Sequence, residues 1–226
     1  MTKPIDVYLE IGKKRTFAGA IDWPGWCRSG QDEESALQAL VDYGPRYGKI
    51  LRSKEFGFQV PTNTSAFSIV ERLDGNATTD FGAPGLAPSA DAQPLNAKEL
   101  QRLENILEAC WKALNAAIKS ANGKELRKGP RGGGRELGGI IQHVLEADGG
   151  YLSSLGWKIK QDHSMDLREA MRLRQKEMSS GLVASAYGEI PSRGPRGGLR
   201  WTPRYYVRRA AWHILDHVWE IQDRIE

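Results

Sequence analysis

Ala211-Trp212-His213-Ile214-Leu215-Asp216-His217-Val218-Trp219 sits inside an uninterrupted helical pattern running from Arg204 to Glu226, with Pro203 well placed at its first turn. Two histidines four residues apart stand one turn apart on the same face, a spacing that lets both imidazoles reach one ion. Val207, Ala210, Ile214, Val218 and Ile221 recur at three- and four-residue steps around the pair, so this helix is expected to carry both histidines toward a core. A buried imidazole without a partner costs about 1–3 kcal/mol for each unmet polar atom, and a metal ion is one way to meet that cost. The other reading is structural: one imidazole at the surface, the other a satisfied core residue.

The preceding segments supply three more helices. Asn96 is a fair N-cap with Glu99 at the capping-box position, and Leu100, Leu103, Ile106, Leu107, Cys110, Leu114, Ala117 and Ile118 form one stripe as far as Ala121. A second helix starts near Arg135 and runs to about Leu155, with Ile140, Ile141, Val144 and Leu145 apolar. Gly149-Gly150 within it costs about 1 kcal/mol per glycine relative to alanine, so a weakening is expected there. A third is expected after Ser164 as N-cap, through Leu167, Ala170, Met171, Leu173 and Met178. Four such helices make a bundle whose ligands project inward. His143, mid-helix in the second, can deliver a third imidazole, and three neutral imidazoles leave an open position for water or substrate. His163, in the polar run Lys160-Gln161-Asp162-His163-Ser164, reads as a loop residue.

The order of these helices resembles the DinB/YfiT superfamily of metalloenzymes. The resemblance rests on Leu137-Gly138-Gly139-Ile140-Ile141-Gln142-His143-Val144 followed by Tyr151-Leu152, and on the closing Trp212 to Ile221 run. It covers roughly residues 96–226. It implies a four-helix bundle with one histidine on the second helix and a His-x-x-x-His pair on the last, here His143, His213 and His217 as metal ligands. It further implies a divalent ion that lowers the pKa of a bound thiol or water, as in thiol-dependent transferases and isomerases. Asp216 and Glu220 are candidates for orienting an imidazole from behind, with Asp216 favoured as a solvated acid.

Toward the other end, Ile5, Val7, Leu9 and Ile11 alternate as one strand, and Lys13-Lys14-Arg15 turns into Thr16-Phe17-Ala18-Gly19-Ala20-Ile21 as its hairpin partner. Pro24 and Gly25 close that strand. A helix begins near Asp32, with Glu33 and Glu34 in its first turn and Ala36, Leu37, Leu40 and Val41 on its buried side. Trp23-Pro24-Gly25-Trp26-Cys27-Arg28-Ser29-Gly30 followed by Glu33-Glu34-Ser35-Ala36-Leu37 resembles the HicB-like antitoxin module, with Trp26 interrupting its proline-glycine-cysteine turn. The resemblance covers about residues 5–73, including Phe67 to Leu73 as a further strand, and implies helix on sheet. It does not imply toxin neutralisation. From Asp74 to Pro94 the glycines and prolines follow no period and read as a linker or a long surface loop.

Composition narrows the classes. At 226 residues with 40% hydrophobic content the chain suits two modest globular domains. No apolar run approaches the roughly 20 residues that cross a bilayer, and the first residues lack the charged-then-apolar pattern of a signal peptide, so a cytoplasmic location without membrane partners is expected. Cys27 and Cys110, far apart, read as ordinary thiols rather than a disulfide or zinc pair. The net charge of +4 is mild, yet arginines and glycines gather in Gly129-Pro130-Arg131-Gly132-Gly133-Gly134-Arg135 and again in Gly194-Pro195-Arg196-Gly197-Gly198-Leu199-Arg200. Neither has the Gly-x-x-x-x-Gly-Lys-Ser/Thr pattern of a phosphate loop. They read as solvated loops, or as a border favouring an anionic substrate, with nucleic acid the least favoured partner.

The expected fold class is therefore α+β: a HicB-like sheet-and-helix domain over residues 1–74, a linker over 75–94 and an all-α DinB-like four-helix bundle over 95–226. The expected function is a divalent-metal-dependent enzyme, a thiol S-transferase or hydrolase acting on a small molecule, with His143, His213 and His217 holding zinc or nickel, or else manganese or iron. A low-molecular-weight thiol is an expected co-substrate, and a homodimer an expected assembly. The alternative is a non-catalytic metal-binding or protein-interaction module.

Overall fold

A computed structural model describes residues 3–52, 56–128, 134–159 and 165–225. The chain is α+β and divides into two compact units, Met1–Gln93 and Pro94–Glu226.

The first unit is built on one four-stranded sheet. Strands β1 (Ile5–Ile11), β2 (Thr16–Ala20), β3 (Cys27–Gly30) and β4 (Phe67–Asp74) lie in the order β3-β2-β1-β4. The first three pair antiparallel and β4 joins β1 in parallel. A parallel pair needs a long crossover, and helix α1 (Glu33–Ile50) supplies part of it, capped by Asp32, whose side chain accepts from Ser35 N at 2.8 Å. Trp26 anchors α1 by donating to Leu40 O (2.9 Å), and it packs among Tyr47, Phe58 and Phe67 at ring separations of 5.0–5.8 Å. The short strand β3 is not foreseen by alternation. Arg28 and Ser29 are half-buried edge residues, so no apolar period marks them.

Alternation along β1 predicts one buried face, but Val7, Tyr8, Leu9 and Glu10 are all buried. The second face is covered by the stretch expected as a linker. Helix α2 (Ala77–Phe81) and a 3-10 turn at Ser89–Ala92 lie there. The Glu10 carboxylate accepts from the Thr79 hydroxyl, from Gly85 N (2.9 Å) and from Leu86 N (3.1 Å), and Glu71 accepts from Ser89 N (2.8 Å). Glycine and proline content reports the absence of a period; it does not report that a carboxylate on a neighbouring strand is collecting these amides.

The second unit consists of α3 (Ala97–Ala121), α4 (Leu137–Leu155), α5 (Leu167–Ala186) and α6 (Pro203–Arg224). Helix α6 packs on the other three, while α4 and α3 each also meet α5. Val207, Ala210, Ile214, Leu215, Val218 and Ile221 have no exposed surface, and Trp212 and Trp219 on other faces are buried too, so α6 is enclosed nearly all round rather than along one stripe. Each large aliphatic side chain so buried contributes roughly 1.5–3 kcal/mol. The Asn96–Glu99 capping box is present, whereas α5 is capped by Asp166; Ser164 and His163 lie outside the described residues.

Helix α4 runs unbroken through Gly149-Gly150. A Cβ on Gly149 would stand 2.6 Å from Arg174 Nη1, and that guanidinium donates to Leu145 O (2.5 Å). The glycine is the notch through which Arg174 crosses the helix. Gly156, at φ +99°, then ends α4 in the left-handed conformation that glycine adopts without strain. Among the described residues no helix is long and apolar enough to cross a membrane.

Candidate metal centre

Helices α4 and α6 run antiparallel: His143 meets His213 and His217, Tyr151 meets His213 and Arg209, and Trp201 N, just ahead of α6, donates to Ser154 O at 3.0 Å. This arrangement brings the three histidines together. His213 Nε2 lies 3.2 Å from His143 Nε2 and 3.2 Å from His217 Nε2, and one ligand nitrogen from each falls within 4.8 Å of the others. Three nitrogens about 2.0–2.1 Å from a tetrahedral ion stand about 3.3–3.4 Å apart, so two of the three spacings are already close to those of such a set, and the third is within 4.8 Å. His213 and His217 are buried and His143 is half-buried, which leaves His143 as the side nearest solvent.

Each imidazole is held differently. His217 Nδ1 donates to Glu220 Oε2 (2.7 Å), and an ionised carboxylate only accepts, so the proton is on Nδ1 and the Nε2 lone pair faces the cluster. Glu220 is itself held: Arg224 Nη1 donates to its Oε1 (2.5 Å), while Arg224 Nε and Nη2 donate to Arg127 O and Arg135 O, each at 2.8 Å. The hydrogen bond from His217, supported by the hydrogen bond and charge of Arg224, keeps the Glu220 carboxyl below its usual range despite burial. Of the acids on α6, Glu220 bonds the imidazole of His217, and Asp216 is half-buried one residue before that histidine.

Protonation is disfavoured at two of the three imidazoles. Burial first, then the neighbouring His217 and His143 and the charges of Arg209 and Arg135, push His213 down to about 2. Burial and then Arg135 lower His143 as well. Both imidazoles therefore stay neutral and keep lone pairs available at neutral pH, the form in which histidine binds a metal. His213 Nδ1 is buried without a hydrogen-bond partner among the described residues. The donor set of neutral imidazoles fits a borderline divalent ion and leaves a coordination position unfilled by protein.

A wall of rings stands beside the centre. Tyr151 meets His213 edge to face (5.7 Å), Trp201 stacks on Tyr151 (5.4 Å), and Tyr205 packs against Trp201 (4.8 Å). Trp201 arrives from the second arginine-glycine segment, where Gly194 N donates to Gly198 O and Arg200 N to Ser192 O, so that this segment ends at the site. Most of the first such segment, residues 129–133, lies outside the described residues, but Arg135 at its close acts electrostatically on His143 and His213. Cys110 is buried and its thiol is pushed up by burial, so neither it nor buried Cys27 joins the cluster.

No protein-family model matches the chain, nor does any curated protein or solved structure. The functional reading therefore rests on the site's own geometry. Spacing along the chain puts the three histidines on facing helices but does not show Tyr151, Trp201 and Arg209 beside them or Arg224 behind Glu220. Helical spacing held a signal for two of these: Arg209 is one turn before His213, and Arg224 is one turn after Glu220.

Proposed function

We propose that His143, His213 and His217 hold one divalent metal ion and that the second unit is a metal-dependent enzyme of the DinB type, a thiol S-transferase or a hydrolase. The observation that carries this reading is the convergence of three imidazoles, with His213 Nε2 3.2 Å from the Nε2 atoms of both His143 and His217 and the Nδ1 of His217 tied to Glu220. Zinc or nickel suits imidazole ligands best, with manganese or iron as further candidates. Bound there, the ion would act as a Lewis acid that lowers the pKa of a coordinated thiol or water. Glu220 orients His217, while Arg224 fixes Glu220 in turn. Tyr151 and Trp201 limit water on one side and offer flat apolar contact to a small substrate. The order β-β-β-α-β of the first unit supports a HicB-like module as its companion.

Elemental analysis of protein purified without a histidine tag tests the site. Near-stoichiometric zinc, nickel, manganese or iron is expected, and a His213→Ala variant is expected to lose it. Equal, substoichiometric metal in both proteins overturns the reading. The second reading, a non-catalytic metal-binding or interaction module, is favoured by the first unit forming a compact body of its own. Retained metal with neither thiol transfer nor ester hydrolysis over a substrate panel would select it.

A further inference from the structure

Arg209 stands one turn before His213 on α6, only 8% exposed. Three other guanidinium groups of this unit are anchored by hydrogen bonds of 3.0 Å or less: Arg174 on Leu145 O, Arg204 on Glu99 and Pro94 O, Arg224 on Glu220 and two carbonyls. Arg209 has none so short among the described residues. Its Nη1 is buried with no hydrogen-bond partner, its Nη2 makes one long bond to the Tyr151 hydroxyl (3.3 Å), and no carboxylate pairs with it among the described residues. Its Cζ lies 4.9 Å from the Trp212 ring centroid and 5.4 Å from that of Tyr151. Cation–π contact with two rings offsets part of the desolvation of a guanidinium, but it leaves an in-plane N–H donor unused.

The location of this donor gives it a use. Tyr151 touches Arg209 through its hydroxyl and His213 through its ring, so the guanidinium and the three-imidazole cluster share one wall. The positive charge of Arg209 is also among those acting on His213. Because the Tyr151 oxygen accepts from Arg209, its own hydrogen is free to donate. Two neighbouring donors, one charged and one neutral, match the two oxygens of a carboxylate; a phosphate dianion asks for more donors than this pair offers.

We propose that Arg209 and Tyr151 seat the carboxylate of the substrate, so that the substrate is a small carboxylic acid held by its anionic end while its reacting end lies at the three histidines. The proposal rests on the metal-centre reading for the reacting end and on Arg209 alone for the anionic end. A carboxylate there completes the guanidinium's hydrogen bonding and balances its charge. It also fixes the distance from the anion to the reacting atom, since Arg209 and His213 are one turn apart on a rigid helix.

Calorimetric titration of the full chain tests this, with malonate, acetate and inorganic phosphate as probes at fixed ionic strength, in zinc-loaded and zinc-free samples whose metal content is measured. Malonate is expected to bind the wild type and to bind Arg209→Met at least tenfold more weakly, with Arg209→Lys and Tyr151→Phe between them and zinc content unchanged. Equal malonate affinity in wild type and Arg209→Met, or no malonate binding by the wild type, overturns the proposal; Arg209-dependent binding that favours phosphate overturns the assignment to carboxylate. If circular dichroism shows that Arg209→Met does not fold, Arg209→Lys and Tyr151→Phe decide in the same way. Zinc held without Arg209 dependence sinks the anion seat and leaves the metal reading standing. Arg209-dependent malonate binding in protein that takes up no metal does the reverse.

Discussion

His217 Nδ1 lies 2.7 Å from Glu220 Oε2, and this contact decides which nitrogen of His217 faces His213. A ligand whose tautomer is fixed from behind presents its lone pair before any ion arrives, and removing such a partner commonly weakens metal affinity 10–100-fold. Glu220→Gln keeps the size of the side chain but takes away the charge that favours Nδ1–H and pairs with Arg224. We expect about 10–100-fold weaker zinc binding in chelator competition, with little change in secondary structure.

The metal-free protein should lose stability as pH falls from about 7 toward 5. His213 and His143 are lowered in the folded state, chiefly by burial, while in the unfolded chain they titrate near the ordinary value of about 6.5. Above that value both states are neutral and the folded state suffers no penalty. Below it the unfolded chain takes up protons that the folded His213 refuses until about pH 2, so stability drains through that window. Thermal unfolding of metal-free protein at steps from pH 7.5 to 5 should show a falling Tm, with a shallower fall for His213→Phe.

Asp148 carries the opposite sign. Its carboxyl is fully buried, neither oxygen has a hydrogen-bond partner among the described residues, and burial raises it well above the usual carboxylate range. As pH rises past the unfolded value near 3.9, the unfolded chain ionises and the folded one does not, which costs about 1.4 kcal/mol for each unit until the folded group also ionises. Asp148→Asn should therefore unfold at higher urea concentration than wild type at pH 8. That difference should shrink toward pH 4.

The two adjacent glycines of α4 should respond in opposite directions. A methyl at Gly149 meets Arg174 Nη1 at 2.6 Å and forces the guanidinium off Leu145 O, a small-to-large change that costs about 1–3 kcal/mol. At Gly150 nothing lies within 4 Å of the added carbon, and alanine there gains up to about 1 kcal/mol of helix propensity. Urea unfolding of Gly149→Ala and Gly150→Ala measures both.

Local spacing carried much of this molecule. The capping box at Asn96 and Glu99, the hairpin of β1 and β2, and the three histidines at helical positions each depend on neighbours a few residues away, where periodicity is informative. What spacing could not show are long-range satisfactions of single polar groups. Glu10 collects amides from residues more than seventy positions on, and Arg224 ties down carbonyls nearly a hundred residues earlier. Strand β3 escaped because four edge residues carry no period, and Gly149 read as a defect because Arg174, which fills its notch, lies on another helix.

The turn-forming segment that ends at Trp201 meets the centre by contacts of a different kind from those of α6. Its backbone bonds to Ser154, the side chains of Arg193 and Arg200 donate within the segment to Gly197 O and Pro191 O, and Trp201 lends its ring to the wall over Tyr151. His213 and His217, by contrast, sit on a helix enclosed on nearly every side. The loop that brings Trp201 can thus be recut while His213 and His217 keep their positions, because the core of the bundle holds them.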